Sequence, residues 1–272
     1  MNKNYPHIFF FSQTLNKIIF CLIFTFLILK KAKTQQFNNW YFPSFSGITF
    51  NTIPPTFIQG GQISQNRSCA TISDKKGSLL FYTDGVRVWN KNNQLMPNGT
   101  GLFGDYAQTN SGLILPVIGD TSLYYVFTAD GTLFSPYGTK GYNYSIVDMK
   151  LNVGLGDVTI KNQFLYGPSA EKLSAIPHAN GNDVWLITKD QAKSFFSFKI
   201  SCTGVNPLPI VSMVGSDLTP NPDPLFVGDI KASPNGKFIC MTMQQKNYFE
   251  IYEFNNSTGV LSNPKKFNLK SA

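Results

Sequence analysis

The stretch CATISDKKGSLLFYTDGVRVWN, residues 69–90, decides the fold. A short apolar run is followed by a turn at Ser73–Gly77. A second apolar run, Leu79–Thr83, leads to Asp84-Gly85 and then to a third, Val86–Trp89. Asp-Gly between two apolar runs predicts a hairpin, because both residues reach positive φ at low cost. The same device recurs in three more places. Leu113–Pro116 turns at Val117–Thr121 into Leu123–Thr128. Leu173–Pro177 turns at His178–Asp183 into Val184–Thr188. Ile230–Ser233 turns at Pro234–Lys237 into Phe238–Thr242. The second strands end at Thr83, Thr128, Thr188 and Thr242, at steps of 45, 60 and 54 residues. Several short strands repeated near that period predict β-propeller blades.

Composition agrees. The 272 residues hold 24 Phe, 12 Tyr and 3 Trp, and only 14% are charged, against about a quarter in ordinary globular chains. Few charges with many aromatics, Thr, Asn and Gly suit sheets joined by tight turns, not a helical bundle. The net charge of +8 is uneven. Lys3, Lys17, Lys30, Lys31 and Lys33 all lie in the first 34 residues, which carry no acid, and taking those five away leaves +3. No basic cluster remains that would serve as a nucleic-acid footprint.

Residues 1–34 are predicted to be a secretory signal. Ile18–Leu29 is a short apolar run behind Lys3 and Lys17, and Ala32-Lys33-Thr34 offers a small-x-small cleavage pattern before Gln35. The run is shorter than the ~20 residues of a membrane span. The lysines after it resist translocation, which leaves an uncleaved anchor as the alternative. With cleavage, the chain has no membrane segment. Cys69, Cys202 and Cys240 remain, an odd number, so at least one is unpaired. Cys69 and Cys240 are expected to be buried thiols, and their spacing fits no metal site.

Residues 35–272 are expected to form one all-β domain of about four four-stranded antiparallel blades. Trp40-Tyr41-Phe42 is a strand with Gly47–Phe50 as its partner, and the Pro- and Gly-rich 51–65 is a loop. Tyr142–Asp148 and Tyr248–Phe254 alternate apolar and polar as half-exposed strands do, and Ser194–Ile200 and Pro209–Met213 are the outer strands of the third blade.

FNNWYF at 37–42, residues 69–102, YSIVDMKLNVGLGDV at 144–158, EKLSAIPHANGNDVWLIT at 171–188 and ASPNGKFI at 232–239 together resemble one family. It is the N-terminal propeller of large secreted Bacteroidota surface proteins. The resemblance implies a seven-bladed, WD40/YVTN-like propeller exported by Sec. In that family PKD-like modules commonly follow, and then a gliding-motility-associated type B sorting domain for type IX secretion. This sequence departs from the pattern by ending at Ala272 after about four blades. The expectation is therefore an incomplete propeller, whether a fragment, a truncated reading frame or a chain completed by a partner, with two apolar faces left uncovered.

Candidate sites follow from where blades begin. Glu171-Lys172 opens the third blade and Asp229 with Lys231 the fourth, so these four are candidates for a binding role at the central channel. Phe103, Tyr106 and Tyr137, with Phe134 and Tyr142, sit on connections, where aromatics can stack on sugar rings or simply cover the propeller face. His178 reads as a turn residue, since a catalytic histidine needs a nucleophile and an orienting acid beside it. Asp74, Asp84, Asp120, Asp130, Asp183 and Asp190 read as turn caps, with no calcium-loop spacing. Paired carboxylates for glycoside hydrolysis cannot be assigned from Glu171, Glu250 and Glu253. No catalytic residue, metal or cofactor is expected. The resulting expectation is a secreted or cell-surface propeller without enzymatic activity. It would present rigid loops to a protein or glycan partner, not to nucleic acid. An extracellular carbohydrate-active hydrolase or lyase and a purely structural spacer are the alternatives. If the chain is complete as it stands, the periplasm is its expected compartment.

Overall fold

The computed structural model describes residues 35–64, 69–110, 112–132, 137–219, 227–244 and 246–269. The predicted signal lies outside the described residues, as does Phe134. The fold is all-β. An N-terminal sheet holds β1 (Asn39–Phe42), β2 (Ser46–Thr49) and β3 (Thr56–Ile58) in that order. The first blade is β4 (Ala70–Ser73), β5 (Leu79–Thr83), β6 (Arg87–Asn90) and β7 (Leu95–Thr100). The second is β8 (Gly112–Pro116), β9 (Leu123–Ala129), β10 (Tyr142–Asp148) and β11 (Asp157–Tyr166). The third is β12 (Leu173–Pro177), β13 (Val184–Lys189) and β14 (Phe195–Ser201). Its outer edge is shared by β15 (Gly204–Val205) and β16 (Ile210–Ser212). The fourth is β17 (Ile230–Ala232), β18 (Phe238–Thr242), β19 (Tyr248–Asn255) and β20 (Val260–Asn268). Every pairing is antiparallel and, apart from β14 with β16, joins chain neighbours, so each blade is a meander with its inner strand first.

The four expected hairpins are present. Among the strands not foreseen is β3, inside the predicted loop 51–65, which pairs with β2 through Gly47↔Ile58, Ile48↔Phe57 and Thr49↔Thr56. It is only three residues long, preceded by Pro54-Pro55 and followed closely by Gly60-Gly61, so no alternation marks it.

Strand alternation sends successive side chains to opposite faces, and both faces of the inner blades are apolar. Four buried clusters result, each between consecutive sheets. Tyr41 from β1 stacks on Tyr82 at 4.2 Å, and Tyr82 stacks on Trp89 at 5.5 Å, joining the N-terminal sheet to the first blade. Phe81, Val126 and Val147 join the first and second blades. Phe127, Leu186 and Phe198 join the second and third. Trp185, Ile187, Met241 and Tyr252 join the third and fourth.

Two apolar faces stay exposed. On β1 and β3 they are Trp40, Phe42 and Phe57, the last 66% exposed. On the fourth blade Phe238, Cys240, Ile251 and Phe267 line a shallow cleft of about 440 Å³. Those positions continue the pattern by which Tyr125 and Phe127 of β9 face the third blade. Charge placed there should leave folding untouched, because surface substitutions usually stay within about 0.5 kcal/mol. Phe57→Lys and Phe238→Lys should melt within about 2 °C of the parent while raising the concentration at which polyethylene glycol precipitates the chain. A large drop in melting temperature would show that these rings are packed in solution.

Candidate functional site

Each blade begins at the same pole, where inner strands start and second strands end. Three junctions meet there: Thr109-Asn110 before β8, Glu171-Lys172 before β12, and Gly228-Asp229 before β17. They are tied together by side chains. Asn110 Nδ2 donates to Leu173 O at 2.7 Å and to Asp229 Oδ1 at 3.0 Å, so one amide spans the second, third and fourth blades. Glu171 Oε2 accepts from the backbone N–H and the hydroxyl of Thr109, both at 3.1 Å, while Oε1 accepts from the Thr132 hydroxyl. Asp229 Oδ1 also accepts the Ile230 N–H at 2.8 Å, and Oδ2 pairs with Lys231 Nζ at 3.3 Å.

The sequence placed Glu171 and Lys172 at the central channel. The structure buries both completely, so they brace the pole from inside rather than line an opening. Glu171 holds a left-handed backbone, φ 56°, a conformation a non-glycine residue keeps only when its surroundings enforce it. Lys172 Nζ lies close to Gly228, 3.2 Å from where a Cβ on that residue would sit. Burial pushes the Lys172 ammonium down to about 7, with Glu171 and Asp229 pulling it back up and Lys189 pushing it further down. Lys189 is also buried. Its Nζ donates to Ala192 O at 2.6 Å and sits 3.8 Å from Asp190, and burial lowers it to about 8.

One phenol organises this junction. Tyr142 Oη accepts the N–H groups of Ala170 and Lys172, at 3.1 and 3.2 Å, and donates to Lys189 O at 2.9 Å. That uses every hydrogen-bonding site a tyrosine hydroxyl has. Read from the sequence as a loop aromatic, Tyr142 is fully buried at the start of β10. Phe103, Tyr106 and Tyr137 are 36%, 46% and 39% exposed and lie on connections that open at the same pole. Lys140 Nζ stands 5.1 Å from the centre of the Phe103 ring, and Tyr137 O accepts from Gln191 Nε2. The accessible part of the pole is thus Thr109, Asn110, Asp229 and Lys231 beside these rings.

The aspartates are turn caps, as expected, except Asp183, whose carboxylate takes the Asn180 side-chain amide and Lys199 while Asn180 Oδ1 caps that turn. Asp84 Oδ1 accepts the N–H groups of Val86 and Arg87, and Oδ2 takes Arg87 Nε and Nη2 at 3.0 and 2.7 Å. His178 caps its own turn through Nδ1 and stacks on Trp185. Cys69, Cys202 and Cys240 are all free thiols. Cys69 and Cys240 are only half-buried, and burial pushes the Cys69 thiol up to about 11, far from a reactive thiolate.

Three features escaped the sequence reading. Gln108 is fully buried, and neither amide atom has a hydrogen-bond partner. Thr132 was unremarkable until Glu171 was placed against it. At the opposite pole, the turns of the first and second blades enclose a groove of about 640 Å³ lined by Asp74, Lys75, Lys76, Asp120, Thr121 and Tyr124. Its members are far apart in sequence and meet only because consecutive blades pack side by side.

No family profile matches the chain, and no curated protein does. Several solved structures are similar to the chain. One, from Bacteroides uniformis, is provisionally named a 6-phosphogluconolactonase. It is 14% identical over 83% of this chain and 65% of its own, with a TM-score of 0.44. The periplasmic gluconolactonase PpgL from Pseudomonas aeruginosa is 9% identical over 83% and 64%, with a TM-score of 0.42. TolB from Acinetobacter baumannii is 13% identical over 81% and 53%, with a TM-score of 0.31. The chain spans less than two thirds of the length of each. At such identities the likeness concerns the fold alone. It still corrects one expectation: proteins named lactonases share this fold, so the expectation that the chain is not an enzyme is withdrawn.

Proposed function

We propose that the chain is an exported, cell-surface binding module of the kind its sequence resembles in Bacteroidota surface proteins. Its recognition face is the pole where the inner strands begin. One observation supports this most: Asn110, Asp229 and Lys231 form an accessible polar cluster on the same pole as the exposed Phe103, Tyr106 and Tyr137. Polar groups that fix orientation beside exposed rings suit a protein or glycan partner. Glu171, Lys172 and Tyr142 act behind the face by holding the junctions rigid.

The test uses the purified full chain against immobilised envelope polysaccharide and envelope proteins of the source cell. Asp229→Ala and Tyr106→Ala should each weaken capture at least tenfold, equivalent to about 1.4 kcal/mol. Melting should be unchanged in Tyr106→Ala and lowered by a few degrees in Asp229→Ala, which gives up the bonds to Asn110 and the Ile230 N–H. Retained capture in both variants would remove this face from the binding account. The same samples should be assayed for hydrolysis of glucono-δ-lactone and 6-phosphogluconolactone. Turnover abolished by Asp229→Ala would replace the binding reading with an enzymatic one.

A further inference from the structure

We propose that the groove between the turns Ser73–Ser78 and Val117–Ser122 binds a neutral polyhydroxylated ligand, a sugar ring or short oligosaccharide, with Tyr124 as its central donor. The groove lies at the pole away from the face discussed above and is independent of it. Its volume, about 640 Å³, falls within the ~300–1,000 Å³ of small-molecule sites.

The decisive group is Tyr124. Its side chain is packed edge-on against Phe81 and is 5% exposed, and it lines the groove. Among the described residues its hydroxyl has no hydrogen-bond partner. The ring is buried while the hydroxyl meets the groove, so that hydroxyl is an open recognition point at the cavity wall. Burial, then the carboxylates of Asp74 and Asp120, pushes this phenol up, which keeps it a donor across ordinary pH.

The walls set the ligand class. Asp74 spends Oδ1 on the N–H groups of Lys76 and Ser78, and among the described residues its Oδ2 takes no hydrogen bond. Asp120 spends Oδ1 on Ser122 N, Ser122 Oγ and Leu123 N, and Oδ2 faces Lys150 at 3.7 Å. Lys75 and Lys76 line the same space without an ion-pair partner among the described residues. An anion would meet two carboxylates, and a cation would meet two ammonium groups. A ligand whose adjacent hydroxyls both donate and accept satisfies the interleaved set with no net charge. Pro116 and Gly119 give it an apolar surface to rest on.

The probes are cellotriose, maltotriose, laminaritriose, xylotriose and chitotriose, each at millimolar concentration with the full chain, read by saturation-transfer NMR and titration. At least one should bind saturably. Tyr124→Phe, which removes only the hydroxyl, should weaken it about tenfold, and Thr121→Trp, which fills the groove from an exposed turn, should abolish it. Asp229→Ala and Tyr106→Ala at the other pole should leave it unchanged, which separates this site from the proposed recognition face. Three outcomes would overturn the proposal: silence from all five neutral probes, binding that survives both groove variants, or binding of trigalacturonate or inorganic phosphate alone.

Discussion

Raising the pH from 7 to 9 will stabilise this protein, and Lys172→Met will remove most of the gain. Burial holds Lys172 down to about 7 and Lys189 down to about 8, whereas an unfolded lysine titrates near 10.4. Between those values the unfolded chain carries protons that the folded chain does not. Stability therefore rises with pH across that window and is lowest below it, where both ammonium groups are charged in the interior. With about 1.4 kcal/mol per pH unit for each fully discharged lysine, the two together give about 3 kcal/mol between pH 7 and 9. The Cys69 thiol, held up to about 11 by burial, takes back up to about 1 kcal/mol as unfolded cysteine ionises. For a chain of this size the net rise in melting temperature is roughly 4–10 °C.

The rise has an upper limit. Tyr82, Tyr142 and Tyr252 are pushed up by burial, so above about pH 10 the unfolded tyrosines ionise first and stability falls. A maximum at moderately alkaline pH is expected from thermal melts at intervals of half a unit. Lys172→Met should be more stable than the parent at pH 6 and should lose the advantage by pH 9. Glu171 keeps Thr109 and Thr132, and Asp229 keeps Asn110 and Lys231, so neither carboxylate is stranded by the change. Parallel curves for parent and variant across pH 6–9 would show that Lys172 is not the group responsible.

The architecture was legible because it is written locally. Asp84-Gly85, Asn180-Gly181 and Asn235-Gly236 mark turns through short-range chemistry, and all three glycines take positive φ. The four threonines that suggested the period are less uniform than they looked. Thr128 and Thr188 sit on equivalent faces, opposite Gly112 and Leu173, and both hydroxyls lack partners. Thr83 and Thr242 are displaced by one residue: Tyr82 and Met241, one position earlier in each strand, are what pack on the preceding sheet. Their hydroxyls instead bond Arg87 O and the Asp229 N–H. A slip of one residue exchanges the two faces of a strand, and the composition of these strands, apolar on both faces, hides it.

The candidate site was legible only in part, for the same reason reversed. Glu171, Lys172 and Asp229 could be located because each precedes an inner strand, and position along the strand fixes the pole. Their burial could not be read, because it depends on Asn110 and Thr132 arriving from the second blade. The groove around Tyr124 depends on two turns some 45 residues apart in the repeat, a separation at which sequence pattern carries no information about contact.

Tyr142→Phe should be the most damaging single-atom change at the pole. The two side chains have nearly the same shape, so no cavity opens. Three backbone groups lose their partner instead: the N–H of Ala170, the N–H of Lys172 and the carbonyl of Lys189. Removing one member of a buried hydrogen bond costs about 1–3 kcal/mol for the group left behind. Relaxation around the junction should bring the total to about 3 kcal/mol, or roughly 6–12 °C in melting temperature. Tyr125→Phe is the matched control. Tyr125 is also buried, 4% exposed, in the adjoining strand β9, and its hydroxyl has no hydrogen-bond partner among the described residues, so its removal should cost within about 0.5 kcal/mol. Amide exchange at Ala170 and Lys172 should accelerate in Tyr142→Phe and not in Tyr125→Phe, because the N–H groups themselves are released. If the two variants melted together, the phenol would be a space-filling ring like its neighbour. The rigidity of the pole would then have to come from Asn110 and Glu171 alone, and Asn110→Ala would become the variant that loosens it.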